Sequence, residues 1–168
     1  RKGHGPQRNS LHRDERAGDE APLSRNRQSE QVPKGLAESM GTVLSWLSDH
    51  DSLFPVISSV LSADDFSLQP YHTIAAVLFE QISRGTVNIG GIIGSFPDEE
   101  EQEQVAEIFY RGLETDDPVT QNRLLNDCVI NIRVHAIDRK MEETSDIAQV
   151  LALRKEREQA ASMKLLET

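Results

Sequence analysis

The stretch Asp117-Pro118-Val119-Thr120-Gln121-Asn122-Arg123-Leu124-Leu125-Asn126-Asp127-Cys128-Val129-Ile130-Asn131-Ile132-Arg133-Val134-His135-Ala136-Ile137-Asp138-Arg139-Lys140-Met141-Glu142-Glu143 decides the reading of this chain. It predicts one helix of about 25 residues, roughly 40 Å long at helical rise. At 100° per residue, Leu125, Cys128, Val129, Ile132 and Ala136 share one face. Ile130, Val134, Ile137 and Met141 share another, roughly 150° away and further along. A helix with two apolar stripes at different heights must pack against two different things.

Upstream, helical spacing supplies the first partner. Leu36, Met40, Val43, Leu44 and Leu47 form one stripe. Leu53, Val56, Ile57, Val60 and Leu61 form a second, capped by Asp51 or Ser52 with Pro55 in its first turn. Tyr71, Ile74, Ala75, Leu78, Phe79 and Ile82 follow from Pro70, and Gly85 ends that helix. Asn88 can cap a short turn, Ile89–Ser95, weakened by three glycines. Pro97-Asp98 opens a fifth helix. Glu99, Glu100 and Glu101 lie in its first turn, where the helix dipole favours anions, and Val105, Ile108 and Phe109 face inward. No segment alternates as a strand would.

Downstream, Thr144-Ser145-Asp146 predicts a tight turn, with Ser145 as cap of a seventh helix. Its seam is read as Ile147, Val150, Leu151, Ala161 and Leu165, interrupted by Arg154 and Glu158. Leu153, Met163 and Leu166 fall off that seam. The expectation is a helical hairpin standing off the bundle, too thin to cover all its apolar side chains. Such a surface suits docking of another protein. The expected contacts are Leu151, Leu153, Met163, Leu165 and Leu166, with Arg154 as a polar anchor; Leu151 and Leu165 can equally be seam residues.

The fold class expected is therefore all-α. A disordered N-terminal linker precedes a bundle of about five to six helices, and a long helix joins the bundle to a C-terminal hairpin. The divisions are 1–35 for a flexible polar linker, 36–125 for the bundle, and 126–168 for the long-helix end plus the hairpin. Residues 1–35 have no aromatic side chain and few aliphatics, too little to offset ordering entropy. They carry eight Lys/Arg and five Asp/Glu, a net charge of +3. The remainder carries ten against 23, a net charge of −13. A folded part that acidic repels a phosphate backbone, so strong direct nucleic-acid binding is not expected; weak contacts from the basic linker are. The chain begins at Arg1, which reads as a processed or excised piece. No apolar run is long enough to span a bilayer, so no membrane partner is expected. The single Cys128 excludes an internal disulfide and suits a reducing cytoplasm.

No residue draws a catalytic, cofactor or metal assignment. Asp64-Asp65 and Asp116-Asp117 could suggest metal-assisted chemistry, but both pairs precede helices, where Asp serves as a cap. Gly90-Gly91-Ile92-Ile93-Gly94 lacks the Lys-Ser/Thr of a phosphate loop. His4, His12, His50, His72 and His135 show no ligand spacing. Cys128, near His135, reads as a small buried hydrophobe rather than a nucleophile. Trp46 lies at the edge of its stripe, a core rim residue or a partner anchor.

Two stretches resemble a known module. Leu61-Ser62-Ala63-Asp64-Asp65-Phe66, Tyr71-His72-Thr73-Ile74 and Leu78 through Gly85 are similar to a helical domain shared by two families. These are the C-terminal domain of bacterial DnaG-type primases and the N-terminal domain of DnaB-type replicative helicases. Leu124-Leu125-Asn126-Asp127-Cys128-Val129-Ile130-Asn131-Ile132-Arg133, running on to Arg139–Glu143, resembles the long connecting helix of the primase domain. The resemblance runs from about Ser39 to the C-terminus. It implies a bundle (about 36–125) that stimulates the helicase and a hairpin (about 130–168) that binds it, though the turn at Thr144–Asp146 is short for the family.

What the resemblance implies is a helicase-binding domain that recruits a primer-synthesising enzyme to the hexameric replicative helicase in the bacterial cytoplasm. The fragment itself would have no activity. The parent primase would be a DNA-directed RNA polymerase, with zinc and magnesium bound elsewhere. The alternatives are the N-terminal domain of a DnaB-type helicase, a small metal-dependent hydrolase and a generic regulatory helical protein.

Overall fold

The first helix, α1 (Leu36–Asp49), starts at Gly35, whose φ of 80° turns the chain in a conformation that costs other residues more. The computed structural model describes Pro33 and residues 35–166. The stretch read as a linker lies outside the described residues, apart from Pro33 and Gly35. A 3-10 turn (Asp51–Leu53) leads into α2 (Phe54–Ser58), with Pro55 in its first turn. The expected cap at Asp51 or Ser52 is absent: both lie inside the 3-10 turn, and Leu53 occupies the cap position.

A second 3-10 turn, Ala63–Asp65, precedes α3 (Tyr71–Arg84), which Gly85 ends with a φ of 69°. Then come α4 (Ile89–Gly94), α5 (Glu99–Tyr110), α6 (Pro118–Glu143) and α7 (Ile147–Ala161). Asn88 caps α4 by accepting from the Gly91 N–H at 2.9 Å. Asp117 caps α6 by accepting from the Thr120 N–H at 3.0 Å. The described residues are helical and contain no strand. None of their helices is long and apolar enough to cross a membrane.

The bundle core takes the stripes read from the sequence, except that Val56 of α2, expected to face inward, is exposed because that short helix buries only Ile57. All five residues of the α1 stripe are fully buried. They meet Ile57, Leu61 and Phe66, then Ile74 and Leu78 of α3, Ile92 of α4, and Val105 and Phe109 of α5. Two polar contacts set the packing of α1. Ser45 donates to the Phe109 carbonyl at 3.1 Å, and Asn131 of α6 donates to Ser39 Oγ at 2.9 Å.

The long helix is continuous over 26 residues and divides its apolar side chains in two. Cys128, Val129 and Ile132 enter the bundle core. Ile137 forms a separate cluster with Leu153 and Ala160 of α7, flanked by Val134 and Met141. One rod thus serves two cores, which is what its two stripes require.

Three details of the hairpin differ from expectation. Asp146, not Ser145, caps α7, accepting from the Ala148 N–H at 3.0 Å. The helix ends at Ala161, so Met163, Leu165 and Leu166 lie beyond it. The hairpin does not stand wholly clear of the bundle either, because Met163 and Leu165 pack back against the bundle core. Burying two large apolar side chains gains more than leaving them in water, so the tail returns.

Candidate partner-binding surface

Helix α7 is turned about one residue step, or about 100°, from the orientation its apolar spacing suggested. Leu153, expected off the seam, closes it at 8% exposure. Ile147 and Leu151, expected in the seam, are 77% and 59% exposed. Ion pairs lie on the same face as the buried Leu153 and Ala160. Arg157 Nε lies 2.7 Å from Asp138 Oδ1, and Glu156 pairs with Arg133. Both partners sit on α6, so these contacts and Leu153 must share one face of α7. The apolar residues alone cannot choose, because Ile147, Ala148, Val150, Leu151, Ala152 and Leu153 together surround the helix within two turns.

The six expected contact residues therefore separate. Leu151 and Arg154 are exposed, and Ile147 joins them one turn earlier on the same face. Leu153 lies inside the hairpin. Met163 and Leu165 are half-buried against the bundle. Leu166 is held by its backbone. Asn126 Oδ1 accepts from the Leu165 and Leu166 N–H groups at 3.1 and 3.0 Å, while its Nδ2 donates to the Leu166 carbonyl at 2.9 Å. The side chain of Asn126 is buried, so these bonds are what make its burial tolerable.

A second buried polar group ties the hairpin to the bundle. Asp65, 5% exposed, accepts from the Ser62 N–H at 2.8 Å and closes the 3-10 turn. Arg133 Nη1 lies 3.7 Å from the same carboxylate, and its Nη2 reaches Glu156 on α7. One guanidinium thus touches the bundle's 3-10 turn and the hairpin's outer helix. Arg133 and Asn126 were not singled out from the sequence as anything but helix residues. The available signal was weak: both are polar side chains among the aliphatics of α6, as Asp127 and Asn131 also are.

The other residues weighed as chemical groups have structural places. Cys128 is buried, and that burial raises its thiol pKa above the ordinary value, against hydrogen bonds to Ser39 and Thr42. Asp117 is held below the ordinary carboxylate value by its bonds to Thr120. His72 and His135 are half-buried on α3 and α6. Trp46 is half-buried and stacks on His50 with ring centroids 4.1 Å apart.

Trp46 also borders a feature that spacing alone could not reveal. An open groove of about 450 Å³ runs between α1, α5 and the connection to α6. Its floor includes Gly41, Ser45, Trp46, Tyr71 and Ile108. Compared with known proteins, the chain matches no family model, no curated protein and no solved structure.

Proposed function

We propose that this chain is a docking module that binds a hexameric replicative helicase through its C-terminal hairpin, as the helicase-binding domain of a DnaG-type primase does. The observation that carries the proposal is the Ile147–Leu151 pair. Two large apolar side chains one turn apart remain in water on the outer face of the last helix. An apolar pair at that spacing is how a helix offers itself to a groove on another protein. Arg154 lies beside it and can add a charge-assisted bond. The sequence resemblance of Leu61–Gly85 and Leu124–Glu143 supports the choice of partner, and the arrangement of bundle, long helix and terminal hairpin suits it.

The physical role would be one of effective concentration. A tethered polymerase domain held at the helicase ring meets freshly unwound template far more often than one free in solution. Leu153, Met163, Leu165 and Leu166 would act indirectly, by keeping α7 in place.

The test is a titration of the full chain against a bacterial replicative helicase. Replacing Ile147 and Leu151 together by Asp should weaken binding by about 2 kcal/mol or more, since buried hot spots carry most interface energy. Far-ultraviolet circular dichroism of the variant should be unchanged, because both side chains are already in water. Full affinity retained by the double variant would refute this surface.

A further inference from the structure

The groove on the bundle lies apart from α7 and needs a separate account. Four carboxylates border it, Glu38, Asp49, Glu107 and Asp116, against one cation, Arg111. All five are exposed. The lining between them mixes apolar and aromatic side chains, Trp46, Tyr71, Ile108 and Leu113, with polar ones such as Thr42, Ser45 and Gln104. A Cβ on Gly41 would lie in ordinary van der Waals contact with the Tyr71 ring at 3.4 Å and Ile108 at 3.7 Å, so both side chains stand within a methyl's reach of α1. Ala37, Gly41 and Ser45 follow one another at single-turn spacing, and their small size opens the trough. The Tyr71 phenol pKa is raised by burial. Arg111 lowers it and Glu38 raises it, each through its charge.

We propose that this groove binds a basic, partly apolar peptide segment of a partner protein. The chemistry selects that occupant. The acidic border excludes phosphate-bearing ligands such as nucleic acid, whose backbone it repels. Among the described residues no group of three or more His, Cys, Asp or Glu is placed to hold a metal ion, so the carboxylates are spread rather than chelating. Spread carboxylates suit several cationic side chains along a chain. The floor of Trp46, Tyr71, Ile108 and Leu113 suits apolar side chains between them, which a polyamine lacks. A groove of about 450 Å³ accommodates a few side chains, within the ordinary range of ligand sites. This surface is independent of the α7 face.

The chain has one tryptophan, and it lines the groove, so its emission reports occupancy. The full chain is titrated with a short peptide alternating Arg and Leu, and with its counterpart carrying Glu for Arg. The Arg peptide should shift Trp46 emission saturably, and the Glu peptide should not. Replacing Glu38 and Glu107 by Gln should weaken binding about tenfold, as expected when charges facing a cationic partner are removed. Glu142→Gln with Glu143→Gln, at the far end of α6, should leave it unchanged. The proposal is overturned if Trp46 emission does not respond. It is equally overturned if the Glu peptide binds as well, or if the α6 pair of substitutions weakens binding as much as the groove pair.

Discussion

The N-terminal half of α6 supplies Cys128, Val129 and Ile132 to a core shared with α1 to α5, whereas its C-terminal half meets one helix through Ile137, Leu153 and Ala160. The bundle is thus held by many fully buried aliphatic and aromatic side chains. The hairpin has three buried apolar residues and makes up the difference with polar contacts. Arg133 bridges Asp65 and Glu156, Arg157 pairs with Asp138, and Asn126 grips the tail. A region with few buried contacts opens at lower free energy than one with many. The hairpin is therefore expected to open first, leaving the bundle intact, although both belong to one compact unit, Pro33–Thr168.

That contrast can be broken most severely from the bundle side. Phe66 is fully buried and meets Phe79 edge-on at 5.7 Å. Phe66→Ala should cost about 3–5 kcal/mol in urea denaturation, and bundle and hairpin should lose protection together. Leu153→Ala should cost about 2–3 kcal/mol, near the low end for a buried leucine because its cluster is small. Hydrogen exchange should then show α7 amides exposed while α1 amides stay protected. Equal loss in both helices would mean that the two cores do not open separately.

The polar ties should matter less. Arg133→Met keeps the apolar stem of the side chain but not its length or charge, leaving the Asp65 carboxylate with the Ser62 N–H among the described residues. The expected cost is about 1–2 kcal/mol, smaller than for a fully sealed ion pair, because Arg133 retains access to water. A double-mutant cycle with Glu156→Gln should give a favourable coupling between the bridge and α7. Asn126→Ala should cost about 1 kcal/mol and free the Leu165 and Leu166 amides to exchange, without unfolding α7. A tail that stays protected would assign its docking to Met163 and Leu165 alone.

The smallest effect concerns pH. The Asp117 carboxylate is held below its ordinary value of 3.8 by hydrogen bonds that only its charged form accepts fully. A depressed carboxylate stabilises the fold above its unfolded value, and that contribution fades as pH falls through the folded value. Acidification below about pH 4 should therefore fray the first turn of α6. Asp117→Asn, which retains an acceptor, should flatten that dependence, as followed by nuclear magnetic resonance at Thr120.

Much of this architecture could be read locally. Asn88, Pro118, Gly85 and the repeating aliphatics act within a few residues of themselves, so most helix positions followed from spacing and local caps, the caps of α2 and α7 and the end of α7 excepted. The two stripes of α6 were legible for the same reason: which side chains share a face depends only on helical pitch. They require two packing partners, whatever those partners are.

The rotation of α7 was beyond such reasoning. Its first two turns are apolar on nearly every side, and the face it buries is the one that meets Ile137, Arg133 and Asp138, all distant in sequence. The tail's return to Asn126 and the groove joining Gly41, Tyr71 and Ile108 depend likewise on residues far apart along the chain. Pitch and capping are properties of neighbouring residues and could be determined from sequence. Which faces stay in water depends on what the rest of the fold covers, and only the tertiary structure decided that.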